Sequence, residues 1–353
     1  MEFLLRGLHA GAFTLRFFNL PRFATDSHFL PIATFIQWFS VNSQCVSLAS
    51  LMFISIFSLL LLCLHYYYSC RCKNRIKDKL ISMENGNVSR SLDGCGSQFP
   101  EQIFILSGQS NMSGRGGVQT KHHSDGSTFR EWDHVVPAEC HYEKGKIWCL
   151  NAKLDWVEAH EPLHHDIDLG KVCGLGPGLV FAASLLQHGK TVDQSAPTIG
   201  LVPCAIGGTQ IKEWEKGSKL YERMIHRAKC ATAKSGTIKA ILWYQGESDT
   251  YSPHNVKEFP ERLESLFTNI RQDLENDALP IIQVGITAKD HPHPEYLEEV
   301  RQAQRALKMQ GVYYVDANGL PLLGDDIHLN THAQVQLGKW LADTYLDSVQ
   351  SCH

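Results

Sequence analysis

At 353 residues, with 43% hydrophobic and 20% charged side chains, the chain can bury one substantial core and is neither disordered nor collagen-like in composition. A formal net charge of -4, with no long basic run outside the apolar N-terminal region, leaves no electrostatic footprint for nucleic acid and suits small or neutral substrates. Of the eleven cysteines, Cys45, Cys63, Cys70 and Cys72 lie in or beside an apolar segment, and the other seven show no zinc spacing, so no metal site is expected.

Residues 1–45 carry Arg6, Arg16 and Arg22 among scattered Phe and Leu with few acids, a composition loosely like a targeting peptide. Val46 to Tyr68 runs 23 residues without Lys, Arg, Asp or Glu. At about 1.5 Å per residue it is long enough to cross a hydrocarbon core about 30 Å thick, and we read 46–68 as a transmembrane helix. It closes on Tyr66, Tyr67 and Tyr68, as at an interfacial aromatic belt, and Arg71, Lys73, Arg75, Lys77 and Lys79 follow at once. The positive-inside rule then expects a single-pass protein whose following domain is cytosolic. Two alternatives stay open. One is a signal peptide begun at Met52 with Phe53 to Leu64 as its apolar core, although it lacks a basic lead and a small-residue cleavage site. The other is translation from Met83. Cys70-Arg71-Cys72 is either a lipidation site at the membrane edge or a pair of spectators. Residues 69–98 form a basic, then polar linker, within which Asn87-Val88-Ser89 is a glycosylation acceptor used only in the lumen.

A folded domain is expected over 99–350. Five short apolar runs, at 103–107, 198–206, 238–244, 280–286 and 312–316, read as buried strands. Helical patterns lie between or after them: Gly178 to Gln187, opened by Pro177, then Tyr221 to Ala233, Glu258 to Glu275 and Thr331 to Leu346. Strands alternating with helices predict an α/β fold around a parallel sheet. The stretch Met112 to Gly176, rich in His, Asp, Trp and Gly and without a strong period, is expected to form loops on the rim where substrate would bind.

The first run ends in Gly108-Gln109-Ser110-Asn111-Met112. Read as chemistry, a strand delivers Ser110 to the carboxyl edge of a parallel sheet; read plainly, four turn-forming residues make a turn. A serine nucleophile needs a base and an oxyanion stabiliser. Asp325-Asp326-Ile327-His328 supplies a histidine with a carboxylate three residues away, and we assign Asp325 as its partner with Asp326 as the competitor. Donors could come from Gly207-Gly208, where glycine lets a backbone N–H approach closely, and from the side-chain amide of Gln245. Each follows a separate expected strand, so a parallel sheet would gather them at one edge.

These blocks, in this order, resemble the signatures of the SGNH hydrolases: Gly108-Gln109-Ser110-Asn111-Met112, Gly207-Gly208, Trp243-Tyr244-Gln245-Gly246-Glu247-Ser248-Asp249 and Asp325-x-x-His328-Leu329. The resemblance spans about 99–347 and is nearest to the plant carbohydrate acetylesterase and sialate O-acetylesterase branch. It implies a three-layer α/β/α fold with a flavodoxin-like sheet, and a serine esterase acting on acetylated carbohydrate through an acyl-enzyme, with no cofactor and no metal. It also implies Ser110, Asp325 and His328 as the triad, with an oxyanion hole from Ser110, Gly207 or Gly208, and Gln245, the glutamine replacing the asparagine usual in SGNH enzymes. The membrane-like segment lies outside the family core. A carbohydrate O-acyltransferase with the same triad, or a silent membrane-tethered carbohydrate-binding protein, are the competing functions.

Overall fold

The computed structural model of the chain describes residues 99–189 and 197–350. The expected span at 46–68 and its linker lie outside the described residues. Among the described residues no helix is long and apolar enough to cross a membrane.

In chain order the elements are β1 (Gln102–Gly108), the four-residue helix α1 (Ser110–Ser113), β2 (Val118–His122), β3 (Thr128–Trp132), β4 (Ile147–Leu150), β5 (Trp156–Glu158), α2 (Gly178–Gly189), β6 (Ile199–Pro203), α3 (Lys219–Thr232), β7 (Thr237–Tyr244), α4 (Pro253–Asp273), β8 (Ile281–Gly285), α5 (Pro294–Ala306), β9 (Val312–Asp316) and α6 (Thr331–Gln350). Seven strands form one sheet in the order β5-β4-β6-β1-β7-β8-β9, parallel except where β5 pairs antiparallel with β4. The fold is α/β with a mainly parallel central sheet.

The continuous apolar run Ile103 to Leu106 is fully buried because the sheet is covered on both faces. On one face Phe104 meets Phe181 of α2 and Tyr345 of α6 edge-on, with ring centroids 4.9 and 5.0 Å apart. Phe104 pairs with Ala240, so Trp243, an odd number of residues on, points to the other face. There it lies edge-on to Trp214 at 5.3 Å and to Phe267 of α4 at 6.0 Å. The chain leaves β1 to build β4, β5 and then β6 on one side, and crosses back to β7 on the other. That reversal opens a crevice beyond the carboxyl ends of β6, β1 and β7, where ligands sit in open parallel sheets.

All five expected strands form. The long segment before α2 departs from expectation, since it holds the hairpin β2–β3, the strand β4 and the edge strand β5 rather than loops alone. Gln119, Thr120, Lys121 and His122 of β2 are all exposed, so no apolar alternation marks that strand. Helix α5 was also not expected, and its buried residues explain why. They are Val300, Arg301 and Gln304, a stripe with one apolar member.

Candidate active site

At the end of β1, Gly108 has φ +124°. A Cβ there would come within 2.1 Å of the Tyr244 carbonyl oxygen, so this close crossing of β1 and β7 requires glycine. The Gln109 N–H then donates to Tyr244 O at 2.8 Å, and the chain turns directly into α1 with Ser110 as its first residue. The Ser110 N–H therefore sits where a helix has no internal acceptor for it.

Ser110 Oγ lies 2.9 Å from His328 Nε2, and His328 Nδ1 lies 2.7 Å from Asp325 Oδ2. The other Asp325 oxygen accepts the backbone N–H of His328 at 3.1 Å and of Ile327 at 3.4 Å. Burial alone would raise the Asp325 carboxyl, but the hydrogen bond and charge of His328, joined by those two N–H groups, hold it well below the usual carboxylate range. Asp326 has φ +59°; its N–H donates to Leu323 O and its carbonyl accepts from Lys289 N, so it closes the turn that carries the pair. Three residues that are 218 positions apart at their extremes thus make one hydrogen-bonded relay.

Asn111, next to Ser110, ties α1 to that turn. Its Nδ2 donates to Glu247 Oε1 at 2.8 Å and to Ile327 O at 3.1 Å, while its Oδ1 accepts the Leu329 N–H at 2.9 Å. Gln334 of α6 adds a bond from Nε2 to the Asn111 carbonyl at 3.1 Å. Burial pushes the Glu247 carboxyl up, against the Asn111 amide that favours its charged form.

Of the two glycines in the turn after β6, Gly207 is the one that lies against Ser110. A Cβ on Gly207 would stand 3.4 Å from Ser110 Cβ, whereas Gly208, at φ +79°, has open space around it. The Gly207 N–H donates to Asp168 Oδ2 at 3.1 Å. The same oxygen accepts Ser113 Oγ at 2.9 Å and Arg115 Nη2 at 2.6 Å, with both charged side chains almost wholly buried. Asp168 therefore clamps the turn that carries Ser110 to the glycine turn after β6, a junction that sequence reasoning missed because Asp168 stood among many polar residues of an aperiodic stretch.

Gln245 differs from expectation. It is fully buried, and its Nε2 donates to Thr209 O at 3.0 Å and to Asp249 Oδ2 at 2.6 Å, which occupies both N–H groups. The physical reason is Asp249, a carboxylate four residues away that has no ion-pair partner among the described residues. Burial pushes Asp249 up to about 7, and the Gln245 amide and the Ile211 N–H oppose this. The amide thus supports the turn after β7. Among the described residues no cluster of three or more His, Cys, Asp or Glu could hold a metal ion.

A serine whose hydroxyl faces an imidazole, itself fixed by a carboxylate, can attack an ester carbonyl. Comparison with known proteins meets this geometry. The family described as carbohydrate esterase, sialic acid-specific acetylesterase, matches residues 100–347. The chain belongs to that family. It is accordingly a carboxylic ester hydrolase of the carbohydrate acetylesterases. A probable carbohydrate esterase of Arabidopsis thaliana is 49% identical over 269 residues, which covers 75% of this chain and 99% of that protein. A solved Arabidopsis thaliana structure, 50% identical, covers 70% of this esterase and 98% of its own chain at a TM-score of 0.64. The structure of NanS, 14% identical, covers 72% and 98% at a TM-score of 0.52, a likeness of fold.

Proposed function

We propose that this esterase removes O-acetyl groups from a carbohydrate through an acyl-enzyme intermediate on Ser110. The observation that carries the reading is the unbroken relay from Ser110 Oγ through His328 to Asp325. His328 Nε2 takes the hydroxyl proton as Oγ attacks the acetyl carbonyl, then returns it to the departing sugar oxygen. Water, activated by the same nitrogen, releases acetate and frees Ser110. The Ser110 N–H at the start of α1 is the backbone donor for the oxyanion, and the Gly207 N–H, bonded to Asp168 Oδ2 at 3.1 Å, joins it only by leaving that carboxylate. Strand order and helices on both faces support the three-layer, flavodoxin-like fold of the SGNH hydrolases. Ser110→Ala is expected to abolish hydrolysis of an aryl acetate and labelling by a fluorophosphonate, with its circular dichroism unchanged; normal turnover in that variant would end the reading.

The same proposal includes residues 46–68 as a single-pass anchor, with the catalytic domain on the cytosolic side. The support is the uncharged 23-residue run and the five basic residues from Arg71 to Lys79. A glycosidase-sensitive mass at Asn87 would refute the cytosolic placement.

A further inference from the structure

The β2–β3 hairpin stands outside the central sheet. Its base is fixed where the Asp133 N–H donates to Gly117 O at 3.0 Å and where Gly116 and Leu175 exchange backbone bonds of 3.0 and 2.9 Å. Beyond that base its side chains are mostly exposed, with Val118 and Trp132 buried at the root. From β3, Arg130 brings Nη2 to 3.5 Å from Oδ2 of Asp325. This is the oxygen that also faces His328 Nδ1 at 2.7 Å. The Arg130 side chain is 47% exposed and that of Asp325 29%. As a source of stability such a pair is worth little, so its place on the relay is the informative fact.

We propose that Arg130 is a positioning residue for the triad: from the hairpin it steadies the Asp325 oxygen that faces the imidazole and shares that oxygen's negative charge. This rests on the reading of Ser110, His328 and Asp325 as an esterase triad. A carboxylate oxygen shared with a guanidinium has less charge to offer a protonated ring. The other charges near the ring are accounted for. Glu247 approaches from the turn after β7, and its oxygen is held by Asn111. Beyond Ser110, Arg115 and Asp168 neutralise each other. Lys289, in the loop after β8, meets the catalytic turn through its backbone N–H on the Asp326 carbonyl. Among the described residues, the ion pairs of Asp325 are with His328 and Arg130 alone.

The test compares the full-length wild type with Arg130→Met and Arg130→Lys. Two quantities are read: kcat/KM for an aryl acetate across pH, and the downfield proton NMR signal of the His328–Asp325 hydrogen bond. In Arg130→Met the acid limb of the kcat/KM profile is expected to move to higher pH by about half a pH unit at low salt and by less at 1 M salt, because the pair is solvent-screened. The downfield signal should move with it, and Arg130→Lys should restore both. An Arg130→Met protein whose NMR signal matches the wild type would overturn the proposal, whatever its activity. A shifted signal in proteins that do not hydrolyse the ester would uphold the role of Arg130 at Asp325 and sink the esterase reading instead.

Discussion

Asp325 Oδ2 lies 2.7 Å from His328 Nδ1, while Asp326, at φ +59°, uses its backbone to close the turn between them. Asp325→Asn is therefore expected to lower kcat by on the order of 10⁴, the loss that follows when a triad carboxylate is neutralised, and Asp326→Asn by less than about tenfold. Steady-state kinetics on both variants checks the ranking, and the reverse order would reassign the carboxylate. Gln245 calls for a different measurement. Its amide satisfies Thr209 O and Asp249 Oδ2 inside the protein, so Gln245→Ala leaves two buried acceptors short of a partner. The expected result is a loss of about 1–3 kcal/mol of stability with kcat within about tenfold of wild type. A fall of about 10² or more in kcat at an unchanged melting temperature would return Gln245 to the oxyanion hole. The contrast shows what was legible at this scale. Asp325 and His328 are three residues apart, so their pairing could be read from spacing, and the serine announced itself by its strand and glycine. The role of Gln245 is decided by Thr209, 36 positions away, and by Asp249, whose lack of an ion pair among the described residues no spacing reveals. Arg115 and Asp168 are 53 positions apart and were invisible for the same reason.

The strands easiest to foresee are those whose burial is nearly complete on both faces, although β9, with Val315 alone buried, was also foreseen. β1, β6 and β8 have unbroken buried runs, and apolar stretches that short, closed by turn residues, are what a strand covered on both sides leaves in a sequence. β2 and β3 are held by backbone pairing and by their base, so their side chains record almost nothing of the fold. The short helix α1 is of a third kind: its four residues are all buried, and it is defined by what it holds. Through Asn111 it grips the Ile327 carbonyl, the Leu329 N–H and Glu247 together. Asn111→Ala should let the 325–329 turn drift relative to Ser110, and small misplacements of a catalytic pair cost about 10² in rate. We expect kcat/KM to fall by roughly that factor, with slower but detectable fluorophosphonate labelling of Ser110. Unchanged kcat/KM would mean that the turn is positioned by β9 and α6 without help from α1.

Taken as a whole, the molecule buries ionisable groups whose folded and unfolded states bind protons differently, and this fixes how its stability should respond to pH. Burial pushes Glu161 up to about 8 from an ordinary 4.5, with the Leu163 and Gly176 N–H groups opposing. Burial likewise raises Asp249 to about 7 and pushes His164 down to about 3 from 6.5, in the last case against the charge of Asp168. For the two acids the unfolded chain gives up a proton at a pH where the folded chain still keeps it. Their burial therefore costs nothing below about 4, and lowers stability progressively as pH rises until their folded values are passed. For His164 the unfolded chain takes up a proton first, so stability is lost as pH falls from 6.5 toward 3. Between about 4.5 and 6.5 the opposing slopes of His164 and one acid offset, and above 6.5 only the acids act. Thermal stability should accordingly decline from about pH 6.5 to pH 8. Glu161 offers the clean test, because Oε2 accepts the Leu163 N–H at 3.0 Å and a glutamine oxygen can do the same without ever ionising. The stability of Glu161→Gln relative to wild type should rise with pH from about 5 to 8, by up to about 1.4 kcal/mol per pH unit, and then level off. Any fixed cost of fitting the amide adds an offset at every pH and leaves that slope intact. Urea melts of both proteins at about pH 5, 6.5, 8 and 9 give the difference directly. A difference that stays constant across the series would show that Glu161 is ionised in the folded protein throughout, and that its burial is compensated by a partner other than the two backbone N–H groups.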